Sequence, residues 1–211
     1  MRARMRNFLY ILLGLFFLIG FSNFQNQRND YFMFKSKYRL GNYYHLETKM
    51  LTEEIFANAN NLTLIDSVYL LPLNLVDTTK IDKEWGVGRL CDYDCRLISF
   101  IENKKYDCVV TISFTSTAGD GEPIILVNTY DKVGKFISHA KFELVFQHDY
   151  SPVPEQYLSI DKKNKISMEL TSKNYEIVDS LGVEILKYIN TDYYNEYYSI
   201  NHDGLILKLN E

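Results

Sequence analysis

The clearest hydrophobic pattern in the chain is a strict alternation of apolar and polar positions over residues 106–114. Successive side chains of a strand point to opposite faces, so a period of two predicts a half-buried strand. An apolar segment at residues 97–101 precedes it. A two-residue loop at Asn103-Lys104 would join the two segments as a hairpin.

Further apolar segments follow, and turn-like sequences separate them. The predicted strands cover residues 124–130, 136–146, 158–160, 166–170, 183–189, 193–200 and 205–209. The turns are DKVG at 131–134, DKKN at 161–164 and HDG at 202–204, and Gly and Asn supply the backbone conformations that tight turns need. Short strands joined by such turns run antiparallel.

The first half of the chain has weaker patterns. Residues 41–49 are compatible with a short strand, and residues 62–71 with another strand that ends at Pro72. Between them, Thr52 followed by Glu53 and Glu54 is typical of a helix start and predicts a helix of about nine residues. Residues 72–84 lack a steady period and predict a connection.

Together these patterns predict a mainly β protein, an antiparallel meander forming a sandwich or a partly open barrel, with one short N-terminal helix in the domain. The aromatic content is 15%, with 17 Tyr and 13 Phe, which suits pleated, half-buried strands. The turns are unequally spaced, which argues against a propeller or another repeat protein.

The N-terminus has the layout of an export signal. Arg2, Arg4 and Arg6 precede an uncharged apolar stretch of 14 residues at 8–21, so the chain that follows is expected outside the cytoplasm. This length suits a signal peptide, whereas counting through residue 24 reaches the lower limit for a membrane anchor. Both alternatives stay open for residues 1–27, and residues 28–211 are expected to form a single extracytoplasmic β-rich domain.

Charge narrows the choice of partners. Removing residues 1–27 takes away three of the 23 basic side chains and none of the 27 acidic ones, which leaves a net charge of about −7. An acidic surface repels phosphate backbones, so no nucleic-acid partner is expected. Contact with the membrane is expected through the N-terminal segment alone, and an anchored form would hold the membrane by residues 8–24.

Tyrosine-rich segments ending in DKVGK and NHDGLILKL, behind an arginine-rich apolar leader, resemble the uncharacterised exported β-rich proteins of Bacteroidetes. The resemblance covers most of the chain. It implies export and an antiparallel β architecture. It brings no activity and no catalytic residue with it.

The cysteines show no metal-site spacing. Cys91 and Cys95 flank Asp-Tyr-Asp, which matches neither a zinc-ligand pair nor a calcium loop. The pair is expected to be either unpaired or bridged across a bend. With a two-residue loop at 103–104, Cys108 lies opposite Ser99 and Cys95 opposite Ile112, and Cys108 is predicted to be a buried free thiol.

No motif of enzyme chemistry is present in the sequence. The glycine-rich segments at 85–89 and 117–122 lack the Walker and dinucleotide patterns, and neither a G-x-S-x-G nor an H-E-x-x-H string occurs. The four histidines have no patterned partner, and His139 is expected to face solvent. We therefore predict no catalytic residue, no metal and no cofactor.

The run at residues 193–198 contains four tyrosines. On a strand, Tyr194 and Tyr198 share one face with Glu196, and Tyr193 and Tyr197 share the other. Such rings either pack across strands or form a platform for a sugar or peptide. These four tyrosines are the predicted binding residues.

Two functions remain after these exclusions. The leading expectation is a noncatalytic exported envelope domain that binds or scaffolds a partner, either an envelope protein or a glycan. The alternative is an envelope hydrolase acting on glycan or peptide, because paired carboxylates from distant strands leave no linear motif.

Overall fold

A computed structural model of the chain describes residues 28–39, 46–47, 49–76, 93–115, 123–144, 155–180 and 183–210. Ten strands and two α-helices make up most of this part of the chain, so the protein is mainly β, as the sequence predicts. The strands are β1 Met50–Leu51, β2 Thr63–Leu64, β3 Tyr93–Glu102, β4 Tyr106–Thr115, β5 Ile124–Asp131, β6 Phe136–Glu143, β7 Glu155–Ile160, β8 Lys165–Ser180, β9 Val183–Ile200 and β10 Ile206–Lys208. The helices are α1 at residues 28–38 and α2 Thr52–Ala57, and short 3₁₀ turns lie at Ala59–Asn61 and Ser67–Tyr69.

The strands form two antiparallel five-stranded sheets that pack as a sandwich. One sheet has the order β1-β7-β8-β9-β10 and the other β2-β3-β4-β5-β6. Among the described strands neither sheet closes on itself. Apolar residues from both sheets fill the space between them, including Ile98, Val110, Val127, Ile166 and Ile200. The alternation at residues 106–114 thus directs one face of β4 into this core, as predicted.

The second face of the β2–β6 sheet is also buried, because α1 packs on it, so β4 is buried on both faces over residues 106–113 rather than half-buried as predicted. Tyr31, Phe34 and Tyr38 are at most 1% exposed and contact residues such as Val109 and Tyr130 of the sheet. This helix was not predicted. Its signal is the spacing of Tyr31, Phe34 and Tyr38, three and four residues apart, which places all three on one helical face.

Three hairpin turns share one design, and the sequence predicts all three. Asp131 accepts the N–H groups of Val133 and Lys135 with its Oδ1 atom, at 2.9 and 2.8 Å. Asp161 and Asn201 make the same two bonds in the later turns. The fourth residue of each turn has a positive φ, and Gly134, Asn164 and Gly204 occupy that position. Gly and Asn adopt this conformation at the lowest steric cost.

The predicted register of the β3–β4 hairpin is wrong. Asn103 N–H bonds to the Tyr106 carbonyl at 2.9 Å, so the turn is centred on Lys104 and Lys105 rather than on 103–104. Cys108 therefore lies opposite Ile101, not Ser99. Beyond a bulge between Leu97 and Ser99, Cys95 lies opposite Ser113 rather than Ile112. A centre shifted by one residue moves every pairing.

The structure also differs from the predicted elements in the first half of the chain and in β6. Within the segment predicted as a strand at 62–71, only Thr63–Leu64 is a strand, and a 3₁₀ turn follows. α2 has six residues, and Thr52 is its first helical residue rather than its N-cap. The period of two over 136–146 predicts that Phe136 and Ala140 share a strand face. A bulge in β6 instead places Phe136 opposite Tyr130, on the α1 side, away from Ala140. Of the strand predicted at 41–49, residues 41–45 and 48 lie outside the described residues.

The segments predicted as separate strands at 183–189 and 193–200 form one long strand, β9. It pairs with β8 over its whole length, from Lys165↔Ser199 to Ser180↔Val183. The neighbouring strand β7 reaches only Thr171 of β8, and β10 reaches only Tyr198 of β9. Among the described strands, residues 172–180 of β8 and 183–196 of β9 therefore have a strand partner on one side only, and we call these two segments the arm. The arm is two-stranded where 172–180 pair with 183–192.

Candidate functional site

The four predicted tyrosines lie where β9 leaves the sandwich and enters the arm. The register confirms their alternation: Tyr198 and Tyr194 lie opposite Ile166 and Leu170, on the face directed toward the other sheet. Tyr193 and Tyr197 lie on the outer face. The two pairs thus meet different surroundings.

Tyr198 is part of the core. Its half-buried ring contacts Phe142 of the opposite sheet edge-on, with centroids 5.4 Å apart. Burial raises the pKa of its hydroxyl, and the nearby Glu196 carboxylate raises it further. An aromatic pair of this geometry stabilises the packing of the two sheets.

Tyr193 and Tyr194 are the most accessible of the four, with 74% and 58% of their surface exposed. Tyr197 lies on the outer face, and the Lys165 ammonium lies 4.1 Å from the centroid of its ring, in a cation–π contact. The structure thus divides the four predicted binding tyrosines into two exposed rings, one ring under a lysine and one core ring.

A groove of about 410 Å³ lies beside this cluster, where β10 stops pairing with β9. Tyr194, Asn195, Glu196 and Tyr197 form one wall, and Lys208, Leu209 and Asn210 form the other. Glu196 accepts hydrogen bonds from Tyr194 and Lys208. Since these donors neutralise and engage the carboxylate, the groove presents aromatic rings and open backbone rather than a free acid or base.

The backbone edge of β9 is the second feature of this site, and the sequence did not reveal it. Among the described strands, residues 183–196 of β9 pair with β8 on one side and with no strand on the other. An isolated two-stranded ribbon is marginally stable in water, and an open strand edge is a template for another strand. Pairing partners are a tertiary property, so no local sequence signal identifies such an edge.

The arm has its own network of side chains. Tyr175 and Tyr188 pack edge-on with centroids 5.8 Å apart, and the Tyr188 and Thr191 hydroxyls are 2.8 Å apart. On the other face, the Lys187 ammonium lies 3.0 Å from the Glu176 carboxylate. Asn174 donates hydrogen bonds to Asn190 and Asp192, at 2.8 and 2.7 Å. These contacts hold polar groups in place along the exposed arm.

A buried charged cluster joins α1 to the sheet. Asp107 on β4 has no exposed surface, and its carboxylate accepts bonds from Tyr31, at 2.5 Å, from Lys35, at 2.6 Å, and from Lys132. Burial alone would raise the pKa of Asp107, but the bonds from Lys132, Lys35 and Tyr31 outweigh it and lower that pKa. Three donors bind the Asp107 carboxylate, and two of them belong to α1, so this cluster holds α1 on the sheet.

The two described cysteines are free buried thiols on opposite faces of the β2–β6 sheet. Cys108 packs between the two sheets, as predicted, and Cys95 packs on the α1 side. Burial raises the pKa of each thiol to about 12. At that pKa the reactive thiolate is scarce at neutral pH. Cys91 lies outside the described residues.

A second cleft of about 330 Å³ lies between the β7–β8 turn and β3. Of the carboxylates that line it, Asp161 caps its own turn and Glu47 pairs with Lys162 at 3.3 Å. Within the described part of the chain, no group of three or more His, Cys, Asp or Glu residues is placed to hold a metal. The glycine-rich segments at 85–89 and 117–122 lie outside that part, as do His45 and His148. His139 is exposed, as predicted.

Comparison with protein-family models, curated proteins and solved structures returned no match to this chain. Within the described residues, no helix has the length and apolarity needed to cross a membrane. The predicted leader at residues 1–27 lies outside them.

Proposed function

We propose that this chain is a noncatalytic exported domain that binds or scaffolds a partner at the cell envelope, and that the arm is its binding element. The proposal rests on one observation above all. The exposed rings of Tyr193 and Tyr194 occur together with an edge of β9 that no other described strand pairs with. Strand addition combines these two features, because backbone bonds supply affinity and alternate side chains supply specificity.

A polypeptide suits this surface better than a glycan. A row of backbone N–H and C=O groups matches another strand, which presents the same groups at the same spacing. A sugar would stack on the rings but leave most of that row facing water. Tyr193 and Tyr194 also lie on opposite faces of β9, so one flat sugar cannot stack on both.

The expected location comes from the leader. Arg2, Arg4 and Arg6 before the apolar stretch at 8–21 favour export of everything that follows. An exported binding domain needs no catalytic group of its own. Its acidic surface and its tyrosines are compatible with protein contact outside the cytoplasm.

Site-specific photo-crosslinking tests the proposal. A photoreactive residue replaces Tyr193 in the full chain, expressed with its leader, and adducts are identified by mass spectrometry of the envelope fraction. Val68 provides the matched control, because it is 67% exposed and lies next to Tyr69, which packs in the cluster under α1. We expect a defined protein adduct from position 193 and none from position 68. Equal adducts from both positions, or a chain retained in the cytoplasm, would contradict the proposal.

A further inference from the structure

We propose that the arm binds a second copy of this chain, with the two β9 strands pairing antiparallel about a two-fold axis. This inference rests on the proposed function, since it names the partner of the same arm. The pairing would join two five-stranded sheets into one continuous sheet. A two-fold interface of this kind uses the same surface on both copies.

The direction of the backbone groups defines what the edge of β9 offers. The Tyr197 carbonyl accepts a bond from Leu209 on the β10 side, whereas Ile200 N–H bonds to Asn164 on the β8 side. Backbone groups alternate between the two sides along an antiparallel strand. The N–H and C=O groups of Tyr193, Asn195 and Thr191 therefore point to the open edge.

A bulge in β9 changes this alternation. Asn174 lies opposite Asn190, but Tyr175 lies opposite Tyr188, so Ile189 is an extra residue. From Tyr188 toward the tip, the even-numbered residues point outward instead of the odd-numbered ones. In a pairing of two β9 strands, the groups that point outward from one strand must face the outward groups of the other. When the pairing is centred on the bulge, an even-numbered residue among 184–188 therefore pairs with an odd-numbered residue among 191–195 of the other copy.

One such register has complementary charges. With Tyr188 opposite Thr191, Lys187 of each copy lies opposite Asp192 of the other, on the same face of the sheet. Sliding the strands to the next allowed registers places Lys187 opposite Asn190 or Tyr194, and the charge pair is lost. Facing opposite charges stabilise neighbouring strands, and the two-fold axis makes this pair occur twice.

The groove beside β10 fits the same register. Val183, where β9 begins, comes opposite Glu196 of the other copy, and Glu196 lines the groove. The second arm thus ends where Leu209 and Asn210, the residues after β10, would block any further pairing. The incoming strand therefore covers residues 183–196 of β9, which are the residues that lack a second strand partner among the described strands.

Charge reversal tests the register in the full chain, purified after export. Lys187→Asp places an Asp opposite Asp192 twice, and we expect the dimer dissociation constant, measured by analytical ultracentrifugation, to rise about tenfold. The double variant Lys187→Asp/Asp192→Lys restores the facing pair and is expected to return close to wild type. The contact of residue 187 with Glu176 changes alike in monomer and dimer, so it cancels in this constant. Lys173→Asp makes the same charge change on β8 and is expected to have no effect.

Cysteine pairing gives a second measurement. Lys187→Cys/Asp192→Cys is expected to form a disulfide-linked dimer under mild oxidation, because directly opposite Cα atoms are about 4.5–5.5 Å apart. Within one strand these positions are roughly 16 Å apart and cannot bridge. Lys187→Cys/Asn190→Cys tests the shifted register and is expected to give far less dimer.

Three results would overturn the inference: a wild-type chain that stays monomeric up to about 100 µM, equal weakening by Lys173→Asp, or preferred bridging of the shifted cysteine pair. A monomeric chain whose position 193 still captures a different envelope protein would refute the second copy while leaving the proposed function intact. Absence of any adduct at position 193 would refute the proposed function itself.

Discussion

Replacing Asp107 with Asn tests whether the buried charged cluster holds α1 on the sheet. The substitution keeps the shape of the side chain and removes its charge. Asp107 is completely buried and accepts bonds from Tyr31, Lys35 and Lys132. In the variant, two ammonium groups face a neutral amide, and the Nδ2 group adds a donor where donors already converge.

The size of the effect follows from the surroundings of each partner. Bonds to a charged group contribute about 1.5–3 kcal/mol each. The full sum is not expected, because Lys35 keeps Glu102 at 2.9 Å and the side chain of Lys132 is 38% exposed and can turn to water. We expect a loss of roughly 3 kcal/mol in the free energy of unfolding, near the lower end for breaking a buried ion pair.

Urea unfolding at a series of pH values provides the assay. The pKa of Asp107 is lowered in the folded protein, so its stabilisation is complete above the unfolded pKa of about 4 and is lost as the pH falls through the folded pKa. The difference in the free energy of unfolding between wild type and variant should therefore be largest at neutral pH and become smaller in acid. Asp203→Asn is the control, because its carboxylate is 61% exposed, and is expected to stay within about 0.5 kcal/mol of wild type.

A gap below about 1 kcal/mol at pH 7 would show that the cluster contributes little net energy. A gap of constant size from neutral pH to pH 2 would show that packing, rather than ionisation of Asp107, causes the loss. Either result would refute the reasoning above.

Two further predictions concern the turns and the tyrosines. Gly134→Ala is expected to destabilise the fold by about 3 kcal/mol, since φ is +87° and the new Cβ would lie 2.6 Å from the Tyr31 Cβ. Gly204→Ala has a similar φ of +88°, but its closest contact is the flexible Cδ1 end of Ile137 at 2.7 Å and the Tyr106 Cβ is at 3.0 Å, so it should cost less in the same thermal or urea measurement. Tyr198→Ala should cost about 2–4 kcal/mol through lost core packing, whereas Tyr193→Ala, at an exposed ring, should change stability by less than about 0.5 kcal/mol. The opposite order in either pair would contradict the assigned environments.

Local patterns in the sequence determined a large part of this fold. The alternation over 106–114 identifies β4, and the three Asp/Asn-x-x-Gly/Asn turns identify hairpins that the structure contains. Each of these signals comes from interactions within a few residues. Strand facing follows the period of two, and turn conformation follows the φ values that Gly and Asn tolerate. The separation of Tyr193 and Tyr197 from Tyr194 and Tyr198 was available in the same way.

Tertiary structure decided the features that depend on distant neighbours. The turn at Lys104 and Lys105 differs by one residue from the predicted one, because both alternatives are locally acceptable and packing on two faces selects between them. α1 forms because Tyr31, Phe34 and Tyr38 find a second apolar face on the sheet. Among the described strands, β9 has an open edge because β10 is short. The extent of a neighbouring strand lies far away in sequence, and that is why the candidate binding edge appears only in the folded chain.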